Sequence, residues 1–318
     1  MTLNELLFYS TPALIIILNA IGVGIGQGLV GITALNAMNT QPHAQDDIKR
    51  ATFLSMALIE TASVIGSIAA VMLLFSQEVS HGFPTTLAHL GIACALGLSG
   101  ITTSIMSSFP ARAAIDAIAR QPFFGQKITR LMLLTLSMIQ TPVIFGFIIR
   151  IIIQTQLSDI HSLSDGVRLF SAGLALGLGS IGPVIGLALL AQAACKGIGI
   201  NKNSYNKVIL FTFIGGAIIE TSIIIAFVIA ILLLYTLASP LDNETLNIAR
   251  YLGAAICVGI GTFGTGISSG ITATAACQQI ALNPNLYSAI SRVYFPAQGI
   301  IETCTLFSML IALGLLFS

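Results

Sequence analysis

Residues 58–61 read Leu58-Ile59-Glu60-Thr61, a single carboxylate inside the apolar run from Phe53 to Phe75. That run is long enough to cross a bilayer, which takes ~20 residues as a helix. An acid at mid-membrane depth costs roughly 2.5–3.5 kcal/mol on insertion scales, so it marks a functional position. The motif returns as Ile139-Gln140-Thr141, Ile219-Glu220-Thr221 and Ile301-Glu302-Thr303, at spacings of 80, 80 and 82 residues. One period repeated this way makes the chain a tandem array. Its units are expected at 1–80, 81–160, 161–240 and 241–318, with Gln140 replacing the acid in unit two.

Composition agrees with the membrane reading. Of 318 residues, 55% are hydrophobic and 8% are charged, against about 25% charged in soluble domains. The net charge of +1 comes without a basic cluster, so nothing points to nucleic acid. The five cysteines (Cys94, Cys195, Cys257, Cys277, Cys304) lie in apolar runs without metal-ligand spacing and read as reduced packing residues. No Lys or Arg precedes the first apolar run, which argues against a cleaved leader and for a first spanning helix. His43, His81, His89 and His161 read as surface loop residues.

Eight apolar segments follow, at about 8–38, 52–76, 86–118, 128–155, 168–196, 207–237, 248–281 and 290–317. Backbone in lipid must satisfy its own hydrogen bonds, and no barrel-strand alternation is present, so these are helices. The expected fold is an all-α integral membrane protein of eight transmembrane helices, in four tandem hairpins. The first helix of each hairpin is rich in small residues. In unit one, Gly22 and Gly26 share one side, while Gly24, Gly28 and Gly31 share another. Two smooth sides let a helix press on two neighbours. The second helix carries the acid position. Crowded inner helices and looser outer ones are expected.

The turns within hairpins are short and polar: Thr40-Gln41-Pro42, Arg120-Gln121-Pro122, Asn201-Lys202 and Asn283-Pro284. The links between hairpins are expected near 77–88, 156–167 and 238–247. Ten of the 13 Lys and Arg residues fall on the turn side, leaving Arg150, Arg168 and Arg250 on the linker side. The positive-inside rule then puts the turns in the cytoplasm and both termini on the other side.

The run Gly22-Val-Gly-Ile-Gly-Gln27-Gly, then Gln41-Pro42, then Leu58-Ile59-Glu60-Thr61, resembles the rotor proteolipid (the c subunit) of F-type ATP synthases in order and spacing. Ala117-Ile118-Ala119-Arg120-Gln121-Pro122 resembles that family's turn more closely still. Unit three departs, with Asn201-Lys202 in place of Gln-Pro. Fused hairpins with one acid missing are more like the V-type proteolipid.

The resemblance implies a rotor ring built from copies of this chain in membrane lipid. The ring turns against the stator's a subunit, which carries a cationic residue, and it docks on central-stalk subunits at its cytoplasmic turns. Gln41, Arg120 and Gln121 are the candidates for that docking. It implies no bound cofactor, and ATP chemistry lies in other subunits. The transported ion is H⁺, with Na⁺ as the alternative. Glu60, Glu220 and Glu302 become the ion carriers, and Gln140 a silent station. Gln27 holds the family position at which an amide helps bind the ion, so Gln27, Glu60 and Thr61 resemble the Na⁺ pattern. Position 27 becomes Ser107, Leu187 and Ser269 in the other units, however. Thr61, Thr141, Thr221 and Thr303 follow the acid position, as ligands or as hydrogen-bonding partners of the backbone. Two other readings stand beside the F-type rotor: a V/A-type proteolipid working as a pump, and a stand-alone ion transporter or channel.

Overall fold

The structure, a computed structural model, describes residues 3–75, 82–236 and 243–317, and the side chains of residues 3–8 are left aside. The described chain is helical, with eight helical spans long and apolar enough to cross a membrane. The first hairpin is α1 (Leu3–Thr40) and α2 (Gln45–Leu74). In the second, α3 (Phe83–Ala93) and α4 (Ser99–Arg120) join through a π turn at Cys94–Leu98, and α5 (Gly125–Ile139) and α6 (Thr141–Thr155) form the return span. The third is α7 (Leu163–Ile200) and α8 (Tyr205–Tyr235), and the fourth is α9 (Glu244–Leu282) and α10 (Tyr287–Phe317).

The helices outrun the apolar segments at the turn side. Gln45-Asp46-Asp47 opens α2 as a polar first turn, where acids suit the positive end of the helix dipole. All four turns share one backbone. Gln41, Gln121, Asn201 and Asn283 have φ of −139°, −135°, −137° and −133°, and a single 3-10 turn follows each. Lys202 stands where the other units have proline, and the shape holds. The N–H three residues on closes each turn by donating to the carbonyl of the leading residue.

The helices after all three links begin earlier than expected, α9 at Glu244 inside the expected 238–247 link. Ser162 accepts from the Asp165 N–H while Asp165 takes the Ser162 N–H. This capping box starts α7 at Leu163, inside the expected 156–167 link. Phe83 opens α3 with Pro84 in its first turn, a position where the missing N–H costs nothing. His89 is therefore no loop residue: it is buried in α3. His43 lies in a turn and His161 in a link, as expected, while His81 falls outside the described residues.

The hairpins stand side by side in an open row. The inner helices α1, α3–α4, α7 and α9 pack in that order, with α2, α5–α6, α8 and α10 behind them. Small residues bring the inner backbones together. A methyl on Gly22 would strike the Ile101 backbone, and one on Gly173 the Gly91 carbonyl. Gly186 packs on Gly266 and Gly270 in the same way. The two-sided expectation for α1 holds for Gly22 and Gly26, which face α4. Gly24 and Gly28 face open space, as does Gly264 of α9 at the far end, whereas Gly31 lies over Met56 of its own hairpin.

Candidate functional site

From the second hairpin on, each outer helix meets the outer helix of the hairpin before it. The acid position therefore meets its own inner helix on one side and the preceding outer helix on the other. At Glu302, three hydroxyls converge. Ser269 of α9 donates to Oε1 at 2.9 Å, and Ser222 of α8 donates to Oε2 at 3.1 Å. The Thr221 hydroxyl lies 3.4 Å from Oε2. Behind them, Thr305 lies 3.4 Å from Ser222 and 2.6 Å from Thr265, oxygen to oxygen.

Glu220 has a barer setting. Its one hydroxyl contact is Thr141 of the preceding hairpin, at 3.0 Å from Oε1. Where Glu302 has Ser269, Ser222 and Thr305, the equivalent residues here are Leu187, Pro142 and Ile223. The Thr141 hydroxyl also lies 2.9 Å from the Met138 carbonyl, the acceptor left without its usual helical donor because Pro142 has no N–H. A threonine hydroxyl has one hydrogen and two lone pairs. If the hydrogen goes to Met138, Thr141 accepts from a protonated Glu220. The other threonines repeat the backbone contact: Thr61 to Ala57 at 3.4 Å, Thr221 to Ile218 at 2.6 Å and Thr303 to Ile300 at 2.6 Å.

Gln140 is buried at the break between α5 and α6. Its amide nitrogen donates to the Leu58 carbonyl of hairpin one at 3.1 Å and lies 3.3 Å from Ser107 Oγ of its own hairpin. An amide donor toward a neighbouring carbonyl is what a protonated glutamic acid would offer there. Unit two thus keeps a polar contact to the neighbouring hairpin at the acid position without an ionisable group.

Glu60 is exposed, because no hairpin precedes the first in the row. Gln27 does not reach it: its amide donates to the Met56 carbonyl at 3.2 Å. Gln27, Glu60 and Thr61 are not joined by a hydrogen bond in this chain. Among the described residues, no group of three His, Cys, Asp or Glu side chains could hold a metal ion.

At the turns, Gln121 donates to the Gly199 carbonyl at 3.0 Å and Asn201 to the Ala281 carbonyl at 3.0 Å. These amides lace one turn to the next. Gln41 is half-buried, and Arg120 stays exposed, lining a cleft of about 1120 Å³ between the second and third turns with Phe123, Lys127 and Lys202.

Ser222 and Thr305 escaped the sequence reading. Their signal is the pair of extra hydroxyls after Glu220 and Glu302, which gains meaning only once the next hairpin is laid alongside.

Comparison with known proteins gives the same fourfold repeat. The sequence model of the family described as the ATP synthase C subunit fits the chain four times, at residues 11–73, 90–153, 170–233 and 252–315. The ATP synthase c subunit 2 of Cereibacter sphaeroides is 41% identical over 75 residues, covering 24% of this chain and 90% of that protein. The ATP synthase c subunit of Chloroflexus aurantiacus is 39% identical over 69 residues, 22% of this chain and 91% of that protein. The A-type ATP synthase K subunit of Methanocaldococcus jannaschii is 27% identical over 232 residues, 72% of this chain and 96% of that protein. With four tandem matches over most of its length, each holding one acid position on an outer helix, the chain belongs to the ATP synthase C-subunit family.

Proposed function

We propose that this multi-pass membrane chain is the rotor-ring proteolipid of a rotary ATP synthase, and that it carries H⁺ on Glu60, Glu220 and Glu302. The environment of Glu220 carries the ion assignment. Hard cations are held by several oxygens at once, and Glu220 has one hydroxyl, Thr141, among Leu187, Pro142 and Ile223. A protonated carboxyl needs only the one acceptor that Thr141 provides. All carriers in one ring pass the same stator, so the ion must be one that every station can hold.

The working cycle follows from electrostatics. A carboxyl crossing the lipid face stays neutral, because a bare charge there is costly. Opposite the stator's cationic residue the ionised form is favoured, and the proton leaves. Gln140 crosses the lipid without a proton to deliver. The ring closes when α1 of one copy, through Gly24 and Gly28, packs on α9 of another near Gly264. The hairpin register then sets Thr303 of that second copy beside Glu60, as Thr141 stands beside Glu220. The excess of Lys and Arg on the turn side supports cytoplasmic turns that face the central stalk, with Arg120 and Gln41 toward the stalk and Gln121 bracing the turn face.

A second reading, a V/A-type proteolipid working as an ion pump, is favoured by the fusion itself and by the long match to an archaeal K subunit. In either complex the carriers are the same. The test is carbodiimide labelling of the assembled ring with the modified sites mapped, since carbodiimides attack protonated carboxyls. Glu60, Glu220 and Glu302 are expected to react, with Gln140 inert and no protection of Glu220 by Na⁺. Absence of labelling at all three would overturn the carrier reading, and Na⁺ protection of Glu220 would overturn the proton.

A further inference from the structure

The four turns share one backbone but not one surface. Between the second and third turns lies a cleft of about 1120 Å³. Its cations are Arg120, Lys127 and Lys202, and among the described residues no carboxylate lines it. Asp116, one turn before Arg120 on α4, lies outside the lining. The walls are held in place. Phe124 of one hairpin meets Tyr205 of the next edge-on, with ring centres 5.5 Å apart. The Lys127 ammonium sits over both rings, 4.7 Å from the centre of Phe124 and 5.3 Å from that of Tyr205, where the ring faces attract a cation. Phe123 stands at the rim and is fully exposed. An aromatic ring left wholly to water beside fixed cations has the profile of an interface anchor, since aromatic and Arg side chains carry most of the binding energy at protein contacts.

The other boundaries lack this set. Between turns one and two the equivalent residues are Thr40, His43, Ala44 and Asp47 from the first unit, with Pro122 and Gly125 from the second. A carboxylate thus stands in place of Lys127. Between turns three and four stand Ile200, Asn203, Ser204 and Lys207, with Pro284 and Tyr287. Lys207 keeps a ring partner, 5.1 Å from the centre of Tyr287, but it is the one cation of the six. Where the fourth unit would meet the first unit of another copy, the six are Leu282, Asn285, Leu286, Ala289, Pro42 and Gln45, none of them charged. The chain therefore builds one such cleft, at the boundary of units two and three.

We propose that the central stalk grips the ring at this cleft, once per chain: an acidic segment of the stalk enters between Arg120, Lys127 and Lys202, and Phe123 inserts into an apolar pocket of the stalk. The proposal rests on the reading of the turns as the stalk-facing side. Charge and height both favour this occupant. A cluster of one sign selects a partner of the other sign and repels its own. From Gln140 to Pro122 is 18 residues, about 27 Å at 1.5 Å per residue, whereas a bilayer with its headgroups reaches only about 20–22 Å from its middle. The rim of the cleft thus stands clear of the membrane surface. The turns of units one and four lie beside the stalk without anchoring it, and torque passes through contacts that repeat every four hairpins.

The experiment measures binding of the purified central-stalk subunits to the assembled ring in nanodiscs of phosphatidylcholine, over a range of salt. Phe123→Asn and Lys202→Pro each install a residue that other turns carry on the same backbone, so the ring should still assemble, which a sizing column checks. Each is expected to weaken stalk binding at least about tenfold, as loss of an anchor does, and Lys202→Pro should also flatten the salt dependence. His43→Asn and Lys207→Ala, on the neighbouring turns, should stay within about twofold of the unaltered ring, as contacts around an anchor do. Lys127→Ala gives the same reading should Phe123→Asn fail to assemble. Equal losses at all these turns would mean docking at every unit, and unchanged affinity in Phe123→Asn and Lys202→Pro would mean docking elsewhere. Either result overturns the cleft and leaves the carrier reading standing. Anionic phospholipid that copurifies with the ring and is lost in Lys202→Pro, with stalk affinity unchanged, would give the cleft to the membrane and overturn the proposal as well. No binding of the stalk subunits to the unaltered ring at any salt would remove the stalk-facing reading of the turns and the cleft's role with it.

Discussion

At the scale of single residues, the acid positions differ in their partners. Glu302 lies among the hydroxyls of Ser269, Ser222 and Thr221, Glu220 touches Thr141, and Gln140 points its amide at a carbonyl. The hydroxyl of Thr141 can serve only one acceptor, so its place between Met138 and Glu220 fits a carboxyl that brings its own hydrogen. Thr141→Val should therefore cost the loaded Glu220 station about 1 kcal/mol, the worth of one hydrogen bond. Site-mapped carbodiimide labelling should then slow at Glu220 and stay unchanged at Glu302. A second prediction concerns Gln140. The carbonyl of Leu58 accepts from its amide now and would accept from a protonated acid in Gln140→Glu. That variant should assemble and gain a fourth labelled site per chain, visible as an added modification in the mapped peptides. An assembled Gln140→Glu ring with no label at position 140 would mean that the burial at this break excludes the chemistry.

At the scale of helices, the close approach of the inner row is set by glycine. Gly186 of α7 rests on the backbone of Gly266 and Gly270 in α9, a contact no larger side chain can share. Gly186→Leu should destabilise the fold by roughly 1–3 kcal/mol through overpacking, read as a lower temperature of thermal unfolding in detergent. Gly24→Leu should leave the single chain intact, because nothing lies within 4 Å of that position, yet block ring closure, read as loss of the assembled species on a sizing column. This row was legible from the sequence: the spacing of Gly22 and Gly26 gives one side of a helix, and the repeat of Glu-Thr or Gln-Thr gives the units. The four turns were legible as turns, although Lys202 hid that the third has the same backbone as the rest. Other features had a local signal that needed the neighbour to be read. Pro142 marks the break beside Gln140, and Ser162 with Asp165 marks the start of α7, but the meaning of Ser222 and Thr305 depends on which hairpin lies alongside. The π turn at Cys94–Leu98 has no local marker at all. It sits where the Cys94 carbonyl presses on Gly177, so it belongs to packing between units rather than to the residues that form it.

At the scale of the whole molecule, the open row has two unlike ends. The first presents Glu60 exposed with Gly24 and Gly28 facing open space, and the last presents Thr303 and Gly264. Each end carries what the other lacks, so in the proposed ring copies would add head to tail until it closes. A ring of this chain alone has a number of hairpins divisible by four, and the mass of the intact ring in native mass spectrometry should be a whole multiple of the chain mass of 33.3 kDa. The fusion also fixes the gearing. With Glu60, Glu220 and Glu302 as the proposed proton carriers, each chain that passes the stator would move three protons in place of four. At a membrane potential of 100 mV one charge is worth about 2.3 kcal/mol, so a chain with a full set of acids would gather about 9 kcal/mol per passage and this one about 7. Hydrolysis of one ATP then turns fewer protons against a steeper gradient, which suits pumping, or synthesis only under a strong driving force. Gln140→Glu should raise the proton-to-ATP ratio by a third, measured as the gradient at which net ATP turnover reverses in vesicles holding the complete enzyme. An unchanged reversal point in a variant whose position 140 takes the carbodiimide label would show that the gearing is set elsewhere than in the count of acids.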